Sequence, residues 1–84
     1  MFIKSYLTAR IAQKANTDEN FNAFITKSVQ RHLSGDWGDT CLEDAELNDK
    51  NPSDSMSSYK YNDDCIIWVK RENDTVIVLF PSEY

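Results

Sequence analysis

The side chains with catalytic or ligating potential gather around one stretch, "HLSGDWGD", residues 32 to 39. His32 is the single histidine of the chain, and Asp36 and Asp39 follow it closely. An imidazole titrates near neutrality, so a histidine oriented by a carboxylate suits general-base chemistry. That reading makes the protein a small hydrolase using His32 with Asp36 and Asp39. A base also needs a nucleophile or a substrate pocket, and no serine or cysteine nearby stands in a diagnostic context. The competing reading puts His32 at a helix end, bonded to a nearby carbonyl or to Asp36. One residue type without partners favours the structural role.

Asp36, Asp39, Glu43 and Asp44 offer hard oxygen ligands of the kind Mg²⁺ or Ca²⁺ takes. The Asp-x-Asp-x-Asp-Gly spacing of a calcium loop is absent, however. Zinc would need more good ligands than His32 and the two cysteines provide. Cys41 and Cys65 lie far apart, outside any Cys-x-x-Cys pattern, and read as free thiols in a reducing compartment. No metal and no cofactor is expected, and two glycines cannot build a phosphate-gripping loop. The simpler use of Gly35 and Gly38 is to let the backbone turn while the aspartates cap it. Trp37 then anchors the turn against a sheet, whereas an exposed Trp37 would be a binding hot spot.

The elements that must hold this stretch are legible on both sides. "FIKSYL" alternates as a short strand would, though Ile3, Leu7 and Ile11 also fit a helical stripe. Thr8 can cap a short helix running to about Ala15. A second helix is predicted after a cap at Asn16 or Thr17, with Asp18 and Glu19 in its first turn. Phe21, Phe24, Ile25, Ser28, Val29, His32 and Leu33 recur at intervals of three and four on one face. Gly35 ends that helix where a positive φ is wanted. One turn of helix is expected around Leu42 to Leu47, broken at Asn51-Pro52. "MSSYKY", "CIIWVKR" and "TVIVLF" then read as three strands joined by "NDD" and "END" turns. Ile66, Trp68, Val76, Val78 and Phe80 are the residues expected to face the helix. The predicted fold is α+β: a small single domain, residues 1–84, with an N-terminal amphipathic helix packed on a C-terminal three-stranded antiparallel β-meander.

Charge narrows the function. The chain carries −5 overall, but residues 1–35 carry +3 and residues 36–64 carry −7. So acidic a middle repels phosphate and attracts basic surfaces of other macromolecules. Direct nucleic-acid binding is disfavoured, and Tyr59, Tyr61, Tyr84 and Trp68 lack the flanking cations that a stacking platform needs. No apolar run is long enough to span a membrane, and "MFIKSYLTAR" is broken by charge too soon for a secretory signal, so a cytoplasmic location is expected.

Taken together, "RHLSGDWGD", Glu43-Asp44, Asn48, Ser57-Ser58-Tyr59, "IIWV" at 66–69 and "DTVIVLFPSEY" make a pattern. Over residues 31–84 it resembles a family of small plasmid- and phage-borne bacterial accessory proteins, departing from it in "DKNPSDS" at 49–55. The resemblance implies a mobile-element accessory protein and no particular reaction. Such a protein is expected to bind and inhibit a host defence protein with a basic, nucleic-acid-binding surface, in an anti-CRISPR or anti-restriction role, acting in the host bacterial cytoplasm. The binding surface would comprise Asp36, Trp37, Asp39, Glu43, Asp44, Glu46 and Asp49. A homo-oligomeric structural protein, a homodimer built on an exposed sheet edge, is the third reading.

Overall fold

Thr8 and Asp18 set where the first two helices begin. Thr8 is extended, and its hydroxyl accepts the Ile11 N–H to open α1 (Ala9–Thr17). Asp18 ends α1, and its carboxylate accepts the Phe21 N–H to open α2 (Glu19–Leu33). That bond, made at the positive end of a helix, holds the Asp18 carboxyl below its ordinary range. The cap is thus Asp18, not Asn16 or Thr17, because α1 continues through both and one residue serves as stop and start. The computed structural model describes residues 3–84, so Phe2 of the first expected strand lies outside the described residues.

The rest follows as α3 (Leu42–Lys50) and four strands: β1 (Lys4–Leu7), β2 (Asp54–Asn62), β3 (Cys65–Glu72) and β4 (Thr75–Leu79). The α+β meander is present, β2 to β3 to β4 antiparallel, and β1 adds a fourth strand parallel to β4 in the order β1-β4-β3-β2. At the N-terminus the strand alternative therefore holds over the helical stripe. In place of one turn, α3 runs nine residues and stops at Asn51, ahead of Pro52.

One face of the sheet packs under α1 and α2. The core joins Ile11, Phe21 and Ile25 to Tyr59, Ile67, Val69, Val76 and Val78. Phe21 meets Tyr61 edge-on at 5.1 Å, and Phe80 stacks beyond it. On α2 the expected stripe is inward except at its end, where Leu33 is exposed. On β3 the facing is the reverse of the expected one. Ile67 and Val69 are buried, while Ile66 and Trp68 point to the other face. Four consecutive apolar residues leave alternation no means of choosing a face. Pairing chooses it instead, because Val69 must sit opposite Val78.

The two glycines differ in what they permit. Gly35 has φ +88° with open space where a Cβ would stand. Gly38 has φ +62°, and a Cβ there would strike the Ser58 carbonyl and approach Tyr59 ring carbons at 2.6 and 2.7 Å. Gly35→Ala should therefore cost about 1 kcal/mol for the backbone alone. Gly38→Ala should cost about 3 kcal/mol or more, since overpacking adds to strain. Denaturant titration of the two variants checks that order.

Candidate functional site

The candidate site is built where the C-terminal end of α2 crosses β2, and its first piece is an ion pair. Arg31 in the last turn of α2 reaches Asp36 twice, Nε to Oδ2 at 2.7 Å and Nη2 to Oδ1 at 3.1 Å. Asp36 Oδ1 also accepts the Gly38 N–H. These bonds hold the Asp36 carboxyl below its usual range and the Arg31 guanidinium above its own. The guanidinium carbon lies 5.0 Å from the centre of the Tyr59 ring.

His32 points the other way, into the protein. It is 1% exposed, with Nδ1 at 2.5 Å from Ser57 Oγ and Nε2 at 2.8 Å from Ser55 Oγ. The chain continues, Ser57 hydroxyl to Tyr59 Oη and Tyr59 hydroxyl to the Asp36 carbonyl, while Ser55 reaches the Pro52 carbonyl. Those are five contacts. Three hydroxyls and a neutral ring supply one hydrogen fewer than that, and a doubly protonated ring would fill them all. Burial first, and the Arg71 charge second, act against the cation and push the His32 pKa down to about 4. No carboxylate touches the ring to offset them, so the ring is neutral. We assign its proton to Nδ1, donating through Ser57 and Tyr59 to Asp36, with the Ser55 hydroxyl turned to Nε2. Pro52 is exposed, so its carbonyl can take water in exchange.

The structure thus does not bring His32 to Asp36 or Asp39, as the hydrolase reading requires. The nearest hydroxyl, on Ser57, is itself buried. Trp37 is buried as well, edge-on to His32 with ring centres 5.0 Å apart, and its indole N–H donates to Asp49 at 2.8 Å. It is the anchor of the turn and not an exposed hot spot.

From that anchor the chain runs along the outer edge of β2. The Asp39 N–H donates to the Ser58 carbonyl, and Thr40 Oγ1 accepts the Ser58 N–H. One turn of chain later, the buried Asn48 amide bonds both backbone groups of Met56, donating to its carbonyl and accepting its N–H. These contacts occupy backbone groups that an edge strand otherwise leaves open. They also hold α3, which has no side-chain cap and is too short to be stable alone.

Of the seven expected surface residues, Asp36, Trp37 and Asp49 are engaged within the protein. Asp39, Glu43, Asp44 and Glu46 are exposed, and no salt bridge reaches them among the described residues. Beside them Leu42 and Leu47 stand 75% and 62% exposed. Sequence reasoning passed over these leucines, whose signal was two large apolar residues on a helix with no apolar face to join. It also passed over Ser55 and Ser57, whose spacing of two places them on one side of a strand. The four aromatics weighed as a stacking platform are split, Tyr59 and Tyr61 packing inward while Trp68 and Tyr84 meet on the other face. Among the described residues no cluster of three His, Cys, Asp or Glu could hold a metal ion, and no helix is long and apolar enough to cross a membrane. No family model, curated protein or solved structure matches the chain.

The buried ring makes stability depend on pH. Above pH 6.5 the ring is neutral whether the chain is folded or not. Below it the unfolded chain takes up a proton, while the folded ring stays neutral down to about 4. Stability should therefore fall as pH drops through that window, by about 2 kcal/mol once water access to the ring is allowed for. Asp18 and Asp36, whose carboxyls are held low, lose their contributions only at lower pH. Urea titrations at pH 7 and 4.5 should show this difference, and in His32→Gln it should largely vanish while overall stability drops.

Proposed function

We propose that the protein is a non-enzymatic binding module that covers a basic surface of another protein with the acidic, leucine-bearing face of α3. The observation that carries this reading is the exposure of Leu42 and Leu47 among Glu43, Asp44 and Glu46. Carboxylates on such a face steer a basic partner into place, and the leucines supply the apolar contact once water leaves. The hydrogen bonds of Asn48 and Asp49 hold the helix in advance, so little ordering is lost on binding.

A surface with this charge rejects phosphate and suits a protein that itself binds nucleic acid. Joined to the resemblance in residues 31–84, it supports a mobile-element accessory protein that blocks a host defence protein, in an anti-restriction or anti-CRISPR role. Asp39 belongs to this surface with Glu43, Asp44 and Glu46. Asp36, Trp37 and Asp49 position it. Immobilised protein should capture a nucleic-acid-binding protein from bacterial lysate at low salt, release it at high salt and lose it to added DNA. The triple variant Glu43→Lys, Asp44→Lys, Glu46→Lys should capture none while remaining folded by circular dichroism, with a small drop in unfolding temperature because Glu43 and Asp44 lie in the first turn of α3. Equal capture by the variant would refute the reading.

A further inference from the structure

Among the described residues, the face of the sheet turned away from α1 and α2 is covered only at one end, where Tyr84 lies against Trp68 and Leu79 is buried, and its composition differs from that of the acidic flank. Strand register sets Tyr6, Ile77 and Lys70 in one row across it and Leu79 and Trp68 in the next. Tyr6 is 53% exposed, Ile77 39%, Ile66 42% and Tyr84 70%, and Tyr84 lies edge-on to Trp68 at 5.5 Å. The helix α3 borders this face at the β2 edge, where Leu47, Met56 and Lys70 line a cleft of about 240 Å³.

We infer that this face is the contact surface of a homodimer, two sheets packed face to face. Charge selects a second copy as the occupant. The chain carries −5, so two copies repel over most approaches. On the open face Lys4, Lys60 and Lys70 stand against Asp54, Glu72 and the Asp63 that pairs with Lys60, leaving no net charge. Lys4 and Asp54 occupy the two outermost strands at the same end of the sheet, since Lys4 pairs with Thr75, Thr75 with Glu72, and Glu72 with Asp54. A two-fold axis along the strands lays β1 of one copy over β2 of the other. Lys4 of each copy then comes across from Asp54 of the other, and Tyr6 across from Met56, which ends the row Tyr6, Ile77, Lys70 on β2. The face is self-complementary in sign and in apolar content, as a two-fold contact requires.

Size sets the strength. Four strands at about 4.8 Å spacing and about 20 Å of strand length make roughly 400 Å² in projection, a small interface for a stable complex. Dimerisation is therefore expected at micromolar concentration. It leaves Leu42, Glu43 and Glu46 of α3 free, because it uses the nearly neutral face and adjoins the α3 surface only at the cleft lined by Asp44 and Leu47.

Sedimentation velocity of the full chain, from roughly 5 to 500 µM, reads this directly. The mass should rise from 9.7 kDa toward twice that value. Ile77→Lys, and separately Tyr6→Lys at the exposed edge in case the first disturbs folding, should raise the dissociation constant about tenfold or more. Leu33→Lys, on the helix side, should leave it unchanged. A monomer mass throughout would overturn the proposal, and so would a dimer indifferent to both face variants. Single-stranded DNA held by a monomer and lost in those same variants would overturn it too.

Discussion

The structure turns on a polar contact set into an otherwise apolar interface, the His32 ring held between Ser55 and Ser57. Apolar packing of Phe21 and Ile25 brings α2 down on the sheet, but it is not directional. Hydrogen bonds that Nδ1 donates to Ser57 and Nε2 accepts from Ser55, both on one strand, are directional. They fix how far α2 lies along β2, and hence where the chain must turn back. Tyr59 carries the same constraint onward by donating to the Asp36 carbonyl, inside the turn itself. Burial raises its pKa to about 12, so it keeps its proton and donates at neutral pH. No buried side-chain nitrogen or oxygen among the described residues lacks a partner. A polar plug in a core stabilises only when satisfied in that way.

What the plug positions is the acidic segment. Trp37 packs on His32 and holds Asp49, while Asn48 clasps the edge of β2 at Met56. The nine residues of α3 are thereby attached at the C-terminal half of the helix, leaving Leu42, Glu43, Asp44, Glu46 and Leu47 facing outward. The arrangement closes a vulnerable strand edge and presents a rigid face with the same few contacts. Residues 31–49 thus hold both the polar plug and the clasp on the edge of β2, and this accounts for the concentration of unusual residue types there. The catalytic possibility and the structural one drew on the same letters, His32, Asp36 and Asp39. Burial separates them.

Much of the fold was legible because it rests on local rules. Periodicity located α2, three runs rich in β-branched or aromatic residues located the meander, and Gly35 marked the stop with the positive φ it shows. What was not legible depended on pairing. Nothing in "KSYL" says that it lies parallel to β4, because that contact joins residues some seventy positions apart. The facing of β3 could not be read from Ile66–Val69, since every position in the run is apolar. At the site, burial of His32 was anticipated by its place on the apolar stripe, but its partners were not. Ser55 fell outside the strand as read from sequence, so the pair that brackets the ring was never seen as a pair. In sequence Asp36 reads as a ligand or a partner of His32, whereas in the structure Arg31 takes it.

The central claim is that His32 is a buried, neutral strut and not a titrating catalytic group. As the single histidine, its ring nitrogens can be followed without ambiguity by nitrogen-detected NMR across a pH titration. A buried strut gives one neutral tautomer at pH 6, protonated on Nδ1, with a midpoint near 4 and a ring N–H slow to exchange with solvent. A midpoint at the ordinary value of about 6.5, with both tautomers in rapid exchange, would contradict it.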